Sequence, residues 1–77
     1  MEPLVFYTTQ GCHLCEEAEE LLRQLSVEHS LQWQSVDIST DPELFERYGI
    51  RIPVLRRKDT NAELGWPFDI PTLMEFL

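Results

Sequence analysis

Apolar and polar residues follow one another along this chain in two rhythms, and each rhythm predicts an element. LVFYT, residues 4 to 8, is a short apolar run of strand formers, with Gly11 following just before a helical pattern begins. From Leu14 the apolar positions fall at Ala18, Leu21, Leu22 and Leu25, which is helical spacing with one buried stripe. Glu16, Glu17, Glu20 and Arg23 are left facing water. LQWQSVDI, residues 31 to 38, alternates Leu31 and Trp33 with Gln before Val36 and Ile38, and reads as a second strand.

The second half carries shorter elements. Thr40 or Asp41 caps a short helix with Pro42 in its first turn, Leu44, Phe45 and Tyr48 on its apolar side, and Gly49 at its end. In IRIPVLRRK a proline precedes an apolar run; it cannot donate to a central ladder, so Pro53 belongs at the entrance or edge of a strand. DTN, residues 59 to 61, predicts a hairpin turn into a brief strand around Ala62 to Leu64. DIPTLMEFL predicts a last helix, with Asp69 near its start, Pro71 in its first turn, and Leu73, Met74, Phe76 and Leu77 available for packing. The order β-α-β-α-β-β-α follows. Strands joined by a helix run parallel and strands joined by a short turn run antiparallel, which gives an α/β fold with a small mixed sheet covered by helices.

Length and charge narrow the picture. Seventy-seven residues, 43% of them hydrophobic, suit one core, so residues 1–77 are expected to form one domain. Glu2 stands where a leader peptide wants basic residues, and no apolar run approaches a membrane span; a cytoplasmic, reducing setting is the expectation. Fourteen acidic against six basic side chains leave a net charge of -8, which disfavours nucleic acid and anionic membranes as partners. The basic residues gather late, at Arg51, Arg56, Arg57 and Lys58, as a solvated face or, at Arg51, a contact for an anion.

The candidate chemistry lies in TTQGCHLCEEAEELL, residues 8 to 22, which holds both cysteines. As a staple the pair closes too small a loop, worth roughly 2 kcal/mol before strain. Three readings stay open. Zinc needs about four ligands, and beyond Cys12 and Cys15 only His13 and His29 are on offer, with no second C-x-x-C. Two reduced cysteines could simply pack as small hydrophobes. Dithiol redox chemistry is the third, and position favours it: the motif spans a strand-to-helix junction, where free amide N–H groups and the helix dipole favour thiolate. At a pKa of about 8.5 only roughly 3% of a thiol is ionised at neutral pH, and lowering it to about 7 raises that fraction more than tenfold. Cys12, at the helix start, meets this condition better than Cys15. Glu16 and Glu19, one turn after each cysteine, oppose it, and a protonated His13 would counter them.

GCHLC directly after the first strand, together with YGIRIPVL at residues 48 to 55, resembles the thioredoxin superfamily, and more closely its small glutaredoxin-like members, over essentially the whole chain. LGWPFD, residues 64 to 69, is similar to a small bacterial-type subfamily of largely unassigned function. The resemblance implies a four-stranded mixed sheet in order 2-1-3-4 flanked by three helices, two on one face and one on the other. It implies Pro53 as a cis-proline beside the dithiol and Ile52 as the residue presenting backbone groups to an extended substrate. Cys12 would attack a disulfide and Cys15 would resolve the mixed disulfide, with His13, Leu14, Arg51, Ile52 and Pro53 contacting substrate. Partners implied are a protein or small-molecule disulfide, and glutathione or a flavoprotein reductase as electron source, acting on a monomer with no tightly bound cofactor. The chain departs from glutaredoxins at Thr8-Thr9-Gln10, where a basic residue is usual, and at LGWPFD, where a Gly-Gly-x-Asp/Ser turn holds glutathione. Glutathione is therefore a co-substrate without its usual binding residues. The alternative is a thioredoxin-fold binding or adaptor module with little redox turnover, since fold does not guarantee chemistry.

Overall fold

The computed structural model describes residues 4–77, and Glu2, used above against a leader peptide, lies outside the described residues. Strands β1 (Leu4–Thr8), β2 (Trp33–Asp37), β3 (Val54–Arg57) and β4 (Glu63–Gly65) alternate with helices α1 (His13–His29), α2 (Pro42–Tyr48) and α3 (Ile70–Phe76), and a 3-10 turn, Ile38–Thr40, precedes α2. The sheet has the order β2-β1-β3-β4. β1 runs parallel to β2 and antiparallel to β3, and β3 runs antiparallel to β4. This is the mixed sheet that the element order predicts, in the strand order that the resemblance to the thioredoxin superfamily implies.

The period-2 geometry of β1 divides the core in two. Leu4 and Phe6 face one side, where they pack with Leu55, with Cys15, Ala18, Leu22 and Leu25 of α1, and with Leu73 of α3. Val5 and Tyr7 face the other, where they meet Val54, Ile38 and Tyr48 at the end of α2. Two helices thus cover one face and one covers the other. Ile52 packs against both clusters.

Several expectations shift. The buried stripe of α1 begins at Cys15 and not at Leu14, which is 45% exposed, because a sulfur side chain fills the first inward position. β2 is shorter than residues 31 to 38: Leu31 is buried ahead of it, and Ile38 is buried in the 3-10 turn. Of the two candidate caps for α2, Asp41 takes the role, its carboxylate accepting the N–H groups of Glu43 and Leu44. Phe45 faces outward at 58% exposure, since a seven-residue helix buries a single line of contact and Tyr48 supplies it. β4 begins one residue later than expected. Asn61, in the left-handed region at φ 62, completes the turn, and the Arg57 N–H donates to Ala62 O. Met74 is half exposed, while Leu73 is buried.

Candidate functional site

The register of the sheet brings the expected site residues to one edge. Thr8 pairs with Asp37, Tyr7 with Val54, and Val54 with Gly65. Just beyond these last pairs the chain continues into the loop before Cys12, and Pro53 and Trp66 stand one residue outside the ends of β3 and β4. This is the carboxyl end of the two parallel strands, where open α/β sheets place their ligands.

The loop to the dithiol is fastened at both ends. Thr9 Oγ1 donates to Asp37 Oδ1 at 3.1 Å, and the same oxygen accepts the Ser39 N–H at 2.9 Å and its hydroxyl at 2.7 Å. Those donors, the Ser39 N–H foremost, hold the Asp37 carboxyl below the usual carboxylate range. Gly11, at φ 75, turns the chain in a way that an L side chain resists. Cys12 is then delivered as the N-cap of α1, with Sγ accepting the Cys15 N–H at 3.1 Å. A sulfur does here what a Ser or Asp oxygen does at most helix starts.

Cys12 and Cys15 are joined by a disulfide, with Cα atoms 5.2 Å apart. Cys12 is half-buried and Cys15 is buried at 3% exposure. Both residues line a cleft of about 210 Å³ whose other walls include Thr8, Thr9, Gln10, Glu16 and Glu19. The outer sulfur is reachable and the inner one is covered. The two carboxylates make the cleft acidic, and that opposes a second anion beside the sulfurs.

The remaining expected residues divide into two groups. His13 and Leu14 lie on the first turn of α1 and face solvent, with His13 Nδ1 3.6 Å from Glu16 Oε2. Ile52 and Pro53 are at the sheet edge: the Ile52–Pro53 peptide is cis, Pro53 is buried, and its carbonyl accepts the Trp66 N–H at 3.1 Å. Ile52 packs on the same core cluster as Cys12 and Trp66. Arg51 turns the other way. Its Nη2 lies 3.3 Å from Glu63 Oε1, and its guanidinium sits 5.5 Å over the Tyr48 ring.

Three features had no counterpart in the sequence reading. The Thr9–Asp37 contact spans two parallel strands, and the Tyr48–Glu63 hydrogen bond at 2.5 Å spans fifteen residues; no local pattern announces either. The third is a second cis peptide, Trp66–Pro67, within LGWPFD. Trp66 itself is half-buried and packs edge-on against Phe68 at 5.0 Å. Among the described residues no group of three or more His, Cys, Asp or Glu side chains is placed to hold a metal ion.

A mixed four-stranded sheet with a C-x-x-C pair at the head of its first helix defines a thioredoxin-fold dithiol protein. The glutaredoxin-like domain family (DUF836) matches residues 3–77, and the chain belongs to that family. Its fold is shared with target protein XcR50 from X. campestris, in a crystal structure 41% identical with a TM-score of 0.83, covering 95% of this chain and 92% of that one. Protein Ne2328 from Nitrosomonas europaea is 32% identical with a TM-score of 0.82, covering 97% of this chain and 89% of its own. Thioredoxin 1 from Thermosipho africanus shares the fold at 10% identity and a TM-score of 0.69, covering 95% of this chain and 86% of that one. No curated protein matches the chain.

Proposed function

We propose that the chain is a dithiol thiol–disulfide oxidoreductase in which Cys12 is the nucleophile and Cys15 the resolving thiol. The glutaredoxin-like fold with its Cys12–Cys15 pair fits a thiol oxidoreductase in general. One observation carries the specific reading: the Cys12 sulfur is half-buried at a helix start and accepts the Cys15 N–H, whereas Cys15 is covered. That hydrogen bond and the helix dipole stabilise negative charge on Cys12 once the pair is reduced.

In the reduced protein the Cys12 thiolate attacks a disulfide sulfur, and the substrate S–S bond breaks as Cys12–substrate forms. The departing thiolate takes a proton from water. Cys15 then loses its proton, attacks Cys12 Sγ and expels the second substrate thiolate. Two electrons pass to the substrate, and the Cys12–Cys15 disulfide remains for a thiol or flavoprotein reductant to reopen. Ile52 and Pro53 line the approach. The Ile52 N–H already donates to Tyr48 O at 3.0 Å, so the carbonyl is the backbone group left to meet an extended peptide. His13 and Leu14, exposed on the first turn, offer the facing contacts, and Arg51 the cation nearest this segment in sequence.

The substrate class is an accessible protein or small-molecule disulfide in a reducing compartment, with electrons drawn from glutathione or a flavoprotein reductase and the chain acting as a monomer. Cys12→Ser should abolish disulfide reduction, and Cys15→Ser should accumulate a mixed disulfide visible by mass spectrometry. Equal turnover in wild type and Cys12→Ser would remove the proposal. Coupling the assay either to glutathione or to a flavoprotein reductase identifies the electron source.

A further inference from the structure

On the α2 face, away from the sulfurs, one carboxylate gathers two partners that lie fifteen and twelve residues before it in the sequence. Glu63 opens the three-residue edge strand β4. Its Oε2 accepts the Tyr48 hydroxyl at 2.5 Å and its Oε1 faces Arg51 Nη2 at 3.3 Å, so each oxygen holds a different group. Tyr48 is fixed in turn. Its ring is 1% exposed and stacks on Tyr7 of β1 at 4.2 Å between centroids, and the Arg51 guanidinium covers the ring from another side. The Tyr48 backbone carbonyl accepts both the Arg51 N–H at 2.8 Å and the Ile52 N–H at 3.0 Å. Burial first, and the Glu63 hydrogen bond second, push the Tyr48 hydroxyl up to about 12, which keeps it a donor at every physiological pH.

These contacts converge on residues 49 to 53, a segment that belongs to no helix or strand, and whose Ile50 is wholly exposed. Apart from the Trp66 N–H on the Pro53 carbonyl at its far end, the segment takes its position from Tyr48, Glu63 and the packing of Ile52. We propose that Glu63 is a positioning residue: by clamping Arg51 to Tyr48 it sets where the Arg51–Ile52–Pro53 segment stands to receive the substrate. This inference rests on the dithiol reading above for what the segment receives. It differs from a stability role in magnitude. The Arg51 and Glu63 side chains are 49% and 30% exposed, and pairs of that kind add only about 0–1 kcal/mol to folding. Among the described residues Ile52 alone packs against both core clusters, so it carries the clamp's effect from the α2 face to the side on which Cys12 packs.

The test is Glu63→Gln in the full chain, which keeps an oxygen for the Tyr48 hydroxyl and removes the charge opposite Arg51. Native-state amide exchange of Arg51 and Ile52 should quicken about 2- to 5-fold while the amides of β1 stay unchanged, the scale set by losing one partly exposed ion pair. Arg51→Gln should quicken the same two amides, and the double variant should add little to either alone. With a peptide disulfide, KM should rise by a similar factor in Glu63→Gln at unchanged kcat, and alkylation of reduced Cys12 by iodoacetamide should keep its wild-type rate. Unchanged exchange at Arg51 and Ile52 overturns the clamp, whatever the kinetics. Faster exchange with unchanged KM overturns it as a positioning device. A wild type that reduces no disulfide sinks the redox reading instead, and the exchange experiment then decides the clamp by itself.

Discussion

Cys12 has two roles at one atom, helix cap and nucleophile, and substitutions separate them. Serine keeps a capping acceptor for the Cys15 N–H, whereas alanine leaves that N–H without its partner. Under reducing conditions Cys12→Ser should match the urea stability of the wild type, while Cys12→Ala should fall about 1 kcal/mol below it. Equal losses would mean that the sulfur does not cap. Gly11 next door isolates a backbone effect, because a Cβ there meets nothing within 4 Å and only the φ of 75 resists it. Gly11→Ala should cost about 1–2 kcal/mol, read by the same denaturation. Tyr48 gives a pH signature. Its folded value, pushed up to about 12 from an ordinary 10, means that the folded protein holds the proton after the unfolded chain has begun to release it. The contribution is complete below pH 10 and disappears as the pH rises towards about 12, so the urea midpoint should fall across that window in wild type and fall less in Tyr48→Phe.

At the scale of elements, α1 shows what a repeat in the sequence reveals and what it hides. Ala18, Leu22 and Leu25 fix the helix and its buried side through their 3.6-residue spacing alone. The phase at its first turn is less legible: hydropathy opens the stripe at Leu14, and Cys15 reads as chemistry or as packing. In the structure Cys15 is both, a buried packing residue and one half of the dithiol, and Leu14 is free to face a visitor. Leu22→Ala should therefore cost about 2–5 kcal/mol, and Leu14→Ala no more than about 0.5 kcal/mol, in paired chemical denaturation curves. The strands were legible from their residue types and the hairpin from DTN. Exact ends were not, because Ile38 and Asn61 are placed by a 3-10 turn and a left-handed backbone that hydropathy does not encode. Contacts between distant elements were the least legible part of the site. Tyr48 reads as an apolar residue of α2 and as the start of YGIRIPVL, and Glu63 as a strand position; their meeting is set by which strand lies beside which helix.

Across the whole molecule, charge is unequally useful. A net charge of -8 was readable from composition, but that Glu16 and Glu19 share a cleft with both sulfurs is a property of the fold. Arg23 offsets Glu19 at 3.0 Å and Arg51 faces Glu63, so the negative sign at the dithiol is carried by Glu16. A dicationic small disulfide should then be reduced faster than a dianionic one of equal size, and the gap should narrow as salt rises from about 0.01 to 1 M, where the screening length shrinks from about 30 to 3 Å. Salt-independent rates for both would mean that this field does not reach the reacting sulfur.

Ile52 adds one more consequence. Because it is, among the described residues, the single side chain packed against both hydrophobic layers, those layers cannot be redesigned independently. A swap of volume beneath α2 that displaces this isoleucine will be felt among the neighbours of α1 and α3, so repacking libraries for either layer should hold position 52 constant or vary both layers together.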